Sequence, residues 1–398
     1  MRILHVIHRY SPAIGGSESW CAGIARWQAD RGHEVTVVTL RAVDEDELWN
    51  SAAPVGPTAV GATDIEHGVR IVRCPVGRPG PALRTMLGRL DLWAWTGAAS
   101  AELAATAIRL ARTCDIVHAH TIPLVHAHMA WLAARLARRP LVLTPHFHAA
   151  DPAHRHAAVR WLFRRADRIF VMTGAERTAL AAHDVPATRL VEVTNAITPL
   201  AVDAAAREAA RRALGIDAGV PLLCFLGRKA QTKGIDVLFD ALPLIRHRPA
   251  PVLVLAGPAT AWYRTVTPPI CEVRVIDVPA LREAAKSTLL AAADLLVLPS
   301  RHEAFGIVFL EAWAAGTSVL GTDVPAVREA IGDAGTTFRA DDPADLAARI
   351  DAALADPEER ARQVIRGRRR IEAAHTWDRV GPLVEAAYRS VLRPDVRA

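Results

Sequence analysis

The five cysteines, Cys21, Cys74, Cys114, Cys224 and Cys271, lie far apart and form no C-x-x-C pair. That excludes a disulfide framework and a paired-thiolate zinc site, and leaves five reduced thiols. Equally missing is an apolar run of the roughly 20 residues needed to cross a bilayer. The chain passes from Met1-Arg2 directly into a strand-like run, with no stretch that reads as a secretory leader. The expected location is therefore cytoplasmic. There is no short-period repeat, and the one biased tract is the Pro-, Gly- and Ala-rich 52–80, which reads as a long loop or a small strand insertion.

With 398 residues, 51% of them hydrophobic and 23% charged, the chain has the balance of a folded protein. It is also longer than one core usually serves, so two domains are expected. A formal net charge of +6 favours an anionic partner without choosing among nucleotide, phospholipid surface and nucleic acid. A high Arg content with no such meaning accounts for the charge equally well.

Apolar β-branched runs alternate with helix-like stretches: 3–7, a helix over 17–31, 35–40, 115–118, a helix over 123–137, 141–144 and 168–172. After a polar Ala- and Arg-rich segment reaching Arg212, a second alternation opens at 222–226. It continues through a helix over 235–244, strands at 252–256 and 273–276, a helix over 281–291, a strand at 295–298, a helix over 307–315 and a strand at 318–321. This is α/β patterning with two doubly wound parallel sheets, whose strand ends would face a ligand cleft.

Three segments carry chemistry. Gly15-Gly16 lies between the first strand and the first helix, where glycines allow close backbone approach and the helix N-terminus favours an anion. An ordinary tight turn explains it as well, and its spacing fits neither G-x-G-x-x-G nor the P-loop. Arg228 and Lys233, in Gly227-Arg-Lys-Ala-Gln-Thr-Lys-Gly234, follow the first strand of the second half and could clamp a diphosphate, or form a solvated basic loop. The most specific segment runs from Pro299 to Gly316 and contains Glu303 and Glu311. Eight helical positions would set these two about 80° apart. They converge better if Glu303 sits in a loop and Glu311 in the second turn of a helix starting near Gly306. The N–H groups of Phe305, Gly306 and Ile307 would then face phosphate. Glu311 lies within Ile-Val-Phe-Leu-Glu-Ala-Trp, where a carboxylate needs a hydrogen-bonding reason to be buried.

In this order the Gly-Gly loop, G-R-x-x-x-x-K-G and E-x-x-F-G-x-x-x-x-E-A-x-A-x-G-x-x-V, ending at Val319, resemble the GT-B retaining glycosyltransferases of family four. The likeness covers nearly the whole chain and includes Thr376-Trp377 before the final helix. It implies two Rossmann-like domains facing across a cleft: an acceptor-side domain over 1–197, joined by a returning helix over 378–398, and a donor domain over 198–377. It further implies that Arg228 and Lys233 hold the donor diphosphate, that Glu311 binds ribose hydroxyls, and that Glu303 lies beside the transferred sugar. Gly15 and Gly16 would line the phosphates. His146, in Thr144-Pro-His146, would be the active-site histidine, with His148 as its rival. A departure is Thr194-Asn195-Ala196, where the family often has Pro-Asn-Gly before the second domain.

The implied reaction moves a hexosyl-type sugar from a UDP-, GDP- or ADP-sugar to an unknown acceptor (a lipid-linked glycan, polysaccharide precursor or small metabolite), with retention. The rivals are a non-catalytic nucleotide-sugar-binding module, a sugar-nucleotide epimerase and, less well supported, a nicotinamide oxidoreductase. No cofactor, metal or nucleic acid is expected. The Arg/Lys clamp makes a divalent ion unnecessary, and the histidine pairs His118/His120, His126/His128, His146/His148 and His154/His156 fall in different elements. Lys229, beside Arg228, is expected to be a surface lysine outside the clamp. Trp and Arg mix at 84–95 and again at Arg160, Trp161, Arg164 and Arg165. These fit either peripheral contact with the inner face of an anionic membrane, or Trp packed inward with Arg reaching out.

Overall fold

The computed structural model describes residues 1–43, 46–49, 63–77, 80–89, 98–147, 154, 156–200 and 202–392. The chain divides into two compact units, Met1–Asn195 with the segment from Trp377 onward, and Ala196–Thr376.

The first unit is built on eight strands: β1 (Arg2–Val6), β2 (Glu34–Leu40), β3 (Thr63–Glu66), β4 (Val69–Cys74), β5 (Ile116–His120), β6 (Leu141–Thr144), β7 (Arg168–Val171) and β8 (Leu190–Glu192). Their order is β3-β4-β2-β1-β5-β6-β7-β8, parallel throughout except where β3 runs against β4. The β3–β4 pair is the small strand insertion of the biased tract, and residues 50–62 lie outside the described residues. β5, β6 and most of β1 and β7 are buried, as expected where helices cover both faces of a parallel sheet.

Alternation along β1 and β5 sorts their side chains between two layers. Leu4, Val6, Val117 and Ala119 join one apolar cluster with Leu103 and Ala107 of helix Ala101–Ala111 and Ala127 and Ala130 of helix His126–Ala137. The other set is His5, His118 and His120, with β1–β5 register placing His5 opposite His118. These meet side chains of helix Gly16–Ala29 and of the last helix, Trp377–Val391. The two helices pack closely: a Cβ on Gly23 would come within 2.0 Å of Trp377, and one on Gly381 within 2.2 Å of Trp27.

The second unit carries β9 (Leu222–Leu226), β10 (Val252–Ala256), β11 (Arg274–Val278), β12 (Leu295–Leu298), β13 (Ser318–Thr322) and β14 (Thr336–Phe338), in the parallel order β11-β10-β9-β12-β13-β14. The polar segment before it forms helix Ala204–Ala213, started by Asp203, whose carboxylate accepts from the Ala206 N–H at 2.6 Å. β9 lies between β10 and β12, and β1 between β2 and β5. The strand order thus changes direction at each first strand, and loops leaving the carboxyl edge at such a point form the ligand crevice of open α/β sheets.

Candidate functional site

In the second unit the loops after β9 and β12 leave that switch point side by side. Gly234, at φ 68, ends the first loop, and a Cβ there would lie 2.0 Å from the Pro299 carbonyl oxygen. Only glycine lets the loops approach so closely. The approach brings Lys233 Nζ to 2.7 Å from Glu303 Oε2, with both side chains largely shielded from solvent. Arg228, half-buried, stands at the head of the same loop.

Glu303 occupies the loop after β12, and Gly306, at φ 86, opens helix Ile307–Ala315. Phe305 is buried with its ring 5.3 Å from that of His375. The first amides of this helix, Ile307 among them, have no acceptor within it, and such a helix start favours an anion. Glu311 falls in the second turn. Its Oε1 lies 2.6 Å from Lys286 Nζ, while Oε2 is enclosed without a hydrogen-bond partner among the described residues. Burial pushes its carboxyl up, opposed by the Lys286 charge.

Lys229 is not a surface residue. It is fully buried, and its ammonium bonds the Asp277 carboxylate and, at 2.8 Å, the Val278 carbonyl. Its amide donates to the Pro258 carbonyl at 2.8 Å, and its carbonyl accepts the Thr260 hydroxyl at 2.7 Å. The lysine thus ties the loops following β9 and β10 to the end of β11. A positive charge can be buried here because acceptors surround it.

In the first unit Gly15 and Gly16 lead into helix Gly16–Ala29, and the Glu18 carboxylate folds back over Gly15, where a Cβ would meet Oε2 at 2.2 Å. Glu18 is buried, with Oε1 at 2.6 Å from Arg9 and 3.3 Å from His8, and Oε2 accepting the Ser17 hydroxyl at 2.7 Å. Burial alone would raise its pKa; Arg9, His8 and Ser17 together hold it well below the ordinary value. His146 follows β6 at φ 49, with its ring 6.2 Å from Trp20 and its Nε2 enclosed without a hydrogen-bond partner among the described residues. Desolvation lowers it to about 4 against the opposing Glu18 charge. Glu176 fixes the chain beside it, accepting the Phe147 N–H at 2.8 Å and the Met172 N–H at 2.6 Å. Its own pKa is pushed up to about 7 by burial. His148 lies outside the described residues.

A metal could be sought at His5, His118 and His120, whose ligand atoms lie within 4.8 Å of one another. Their nitrogens already have partners: His5 with His120 and Gln28 at 2.8 Å each, His118 with Tyr388 at 2.6 Å and Thr144 at 2.7 Å. Only His120 Nδ1 is left over among them. A buried hydrogen-bond network fits this trio better than a ligand set, since a cation taking one nitrogen from each ring would have to break at least two of these contacts. An Asp-x-Asp does occur in the chain at Asp44-Glu45-Asp46, but Asp44 and Glu45 lie outside the described residues.

Glu303, Lys233, Phe305, Gly306, Ile307 and Glu311 therefore gather at one sheet edge of the second unit, and Gly15, Gly16 and His146 gather in the first. Sequence reasoning missed Lys286, Asp277, Glu18, Arg9 and His8. A lysine inside the otherwise apolar Ala-Ala-Lys-Ser-Thr-Leu-Leu helix was the one available signal for Lys286. Asp277 meets Lys229 from 48 residues away, and Glu18, Arg9 and His8 meet only once helix Gly16–Ala29 folds back on the loop after β1.

Comparison with known proteins agrees over the same regions. Residues 15–196 match the glycosyl transferase 4-like domain and residues 206–370 match glycosyl transferases group 1. The D-inositol 3-phosphate glycosyltransferase of Xylanimonas cellulosilytica is 30% identical over 395 residues, covering 92% of this chain and 89% of that one. The glycogen synthase of Mycobacterium tuberculosis is 28% identical, covering 99% and 95%. Among solved structures, Anabaena HepE in complex with UDP and glucose superposes with a TM-score of 0.77 at 20% identity, covering 98% of this chain and all of that one. WaaG, involved in lipopolysaccharide biosynthesis, superposes with a TM-score of 0.66 at 20% identity, over 99% of this chain and 100% of its own. The chain belongs to the group 1, GT4-like glycosyltransferases of GT-B fold.

Proposed function

We propose that this glycosyltransferase takes a hexosyl-type sugar from a nucleoside-diphosphate sugar held by its second unit and transfers it with retention. The observation that carries this reading is the Lys233–Glu303 contact, which joins the G-R-x-x-x-x-K-G and E-x-x-F-G loops at the switch point. Lys233, Arg228 and the amides of Phe305, Gly306 and Ile307 would meet the charge that grows on the departing diphosphate. Glu303, holding Lys233, would lie beside the sugar, and Glu311 would accept the ribose hydroxyls. In the transfer the anomeric carbon–phosphate oxygen bond breaks, a bond to the acceptor oxygen forms on the same face, and the acceptor proton passes to the departing phosphate oxygen. Gly15, Gly16 and His146 are the residues of the first unit that the family resemblance would assign to the reaction. The relatives fit such a donor: HepE was crystallised with UDP-glucose, and the named homologues act as a glycogen synthase and an inositol phosphate glycosyltransferase.

The test is release of UDP, GDP or ADP from a panel of nucleotide sugars, with and without cell extract supplying acceptors. Release that requires the extract supports transfer. Release without it supports the epimerase, and binding without release supports a non-catalytic module.

A lipid-linked acceptor is favoured by one surface of the first unit. Trp131 and Trp161 pack edge to face at 4.5 Å, and the Arg165 guanidinium lies 4.0 Å over Trp161. Around them Leu132 is 40% and Leu136 62% exposed, with Arg135, Arg138, Arg164 and Arg165 exposed as well. Exposed apolar groups ringed by arginine suit an anionic bilayer. Sedimentation with phosphatidylglycerol vesicles, lost in Trp161→Ala and in high salt, is the expected result; equal recovery with phosphatidylcholine vesicles counts against it. Among the described residues no helix is long and apolar enough to cross a membrane.

A further inference from the structure

Lys286 stands in the first turn of helix Glu283–Ala292, where a helix dipole disfavours a cation. It is nonetheless largely buried, with its ammonium between Glu283 Oε1 at 2.7 Å and Glu311 Oε1 at 2.6 Å. The two carboxylates differ: Glu283 is 63% exposed, whereas Glu311 is 11% exposed. Glu283 can be solvated without help; Glu311 cannot. Moreover, Lys286 engages only one oxygen of Glu311, and the other is an enclosed acceptor with no hydrogen-bond partner among the described residues. An unsatisfied carboxylate oxygen in such surroundings costs free energy unless a ligand donor completes it.

We propose that Lys286 is a positioning residue of the donor site: its ammonium fixes Glu311 by one oxygen and turns the other toward the paired hydroxyls of the nucleoside ribose. The inference rests on the donor-site reading above. A point-like ammonium suits this task, because it neutralises the buried carboxylate through a single contact. A guanidinium fork would tend to occupy both oxygens and leave none for the ribose. Without any cation, the opposing charge that counters Glu311's burial is gone and its carboxyl moves further up, toward the protonated form.

The experiment compares the affinity of whichever nucleoside diphosphate (UDP, GDP or ADP) binds best with that of its 2′-deoxy analogue. Wild type should prefer the ribose form by about tenfold or more, the scale of a charge-assisted hydrogen bond. Lys286→Met should lose most of this preference at pH 7 and regain part of it as the pH is raised and the carboxyl re-ionises. A purely structural lysine would show no such pH dependence. Lys286→Arg keeps the charge, so it answers even if the methionine variant does not fold, and its preference should drop several-fold. Preference within twofold of wild type in every folded variant overturns the inference. If wild type binds none of the three nucleotides, or Glu311→Ala leaves their affinity unchanged, the donor site itself is misplaced.

Discussion

Acidification should weaken the first unit by an amount that its buried histidines set. Desolvation depresses His5 to about 4, His126 to about 3 and His146 to about 4, and holds His118 and His120 well below their ordinary value. All five titrate near 6.5 once unfolded. Below that pH the unfolded chain binds protons that the folded unit refuses, so the stability is complete above 6.5 and is lost as pH falls toward the folded values. Between pH 7.5 and 5.5 the three with folded values of about 3 to 4 cost roughly 4 kcal/mol together, and His118 and His120 act in the same direction. Glu176 works the other way: its folded pKa is raised to about 7, so the folded unit takes up its proton first on acidification. That returns about 2 kcal/mol and leaves a net loss of at least roughly 2, a sizeable share of the roughly 5–15 kcal/mol typical of a folded domain. A melting temperature lower by at least roughly 4 to 8 °C follows for a unit of this size. Hydrogen exchange at β1 and β5 amides, read with thermal melts at the two pH values, checks it. Equal protection at pH 5.5 and 7.5, with melts within 3 °C, would refute the reasoning. His120→Asn should shallow the pH dependence.

In the second unit, Lys233→Ala should lower kcat by on the order of 10²-fold, because the charge it meets grows as the glycosidic bond breaks. Glu311→Ala should instead weaken donor binding by roughly 1.5 to 3 kcal/mol with the smaller effect on kcat, which steady-state kinetics on the two variants separates. Lys229→Met should destabilise the second unit by about 2 kcal/mol in a denaturant titration, less than a fully buried pair would cost because Asp277 is half exposed. Turnover should persist in excess EDTA, since fixed cations neutralise the diphosphate; activity lost to EDTA and restored by Mg²⁺ or Mn²⁺ would show that a metal is required.

Much of the fold was legible because buried parallel strands are written as continuous apolar runs. Residues 222–226, 252–256 and 295–298 were located to the residue, and helix Ile307–Ala315 likewise, since Gly306 and Gly316 bracket it. The strand expected at 273–276 runs Arg274–Val278, its polar Asp277 having hidden the end. Short edge strands such as Leu190–Glu192 and Thr336–Phe338 carry too few apolar residues to announce themselves. At the site, motif spacing gave Glu303 and Glu311 as a pair but not what each one touches. Lys229 illustrates the limit: beside Arg228 it reads as one more loop cation, and only Asp277, 48 residues on, makes it an interior residue. Histidines are similar. His118 and His120 were visible as an H-x-H pair although the expected strand stopped at His118, yet their partners His5, Thr144 and Tyr388 come from three other elements.

The last helix bears on how the chain is made. Trp377–Val391 supplies Tyr388 to His118 and Gln28, Trp377 to the face of Gly23, and Asp378 to Arg31 at 2.9 Å. During synthesis from the amino terminus, the first unit must wait for this piece while all of Ala196–Thr376 is translated and can fold. The unit that begins first is therefore finished last, and until then its histidine-bearing sheet face stands uncovered on one side. A single cut after Asn195 consequently yields one intact half and one incomplete half; isolating the first unit requires splicing its two segments together.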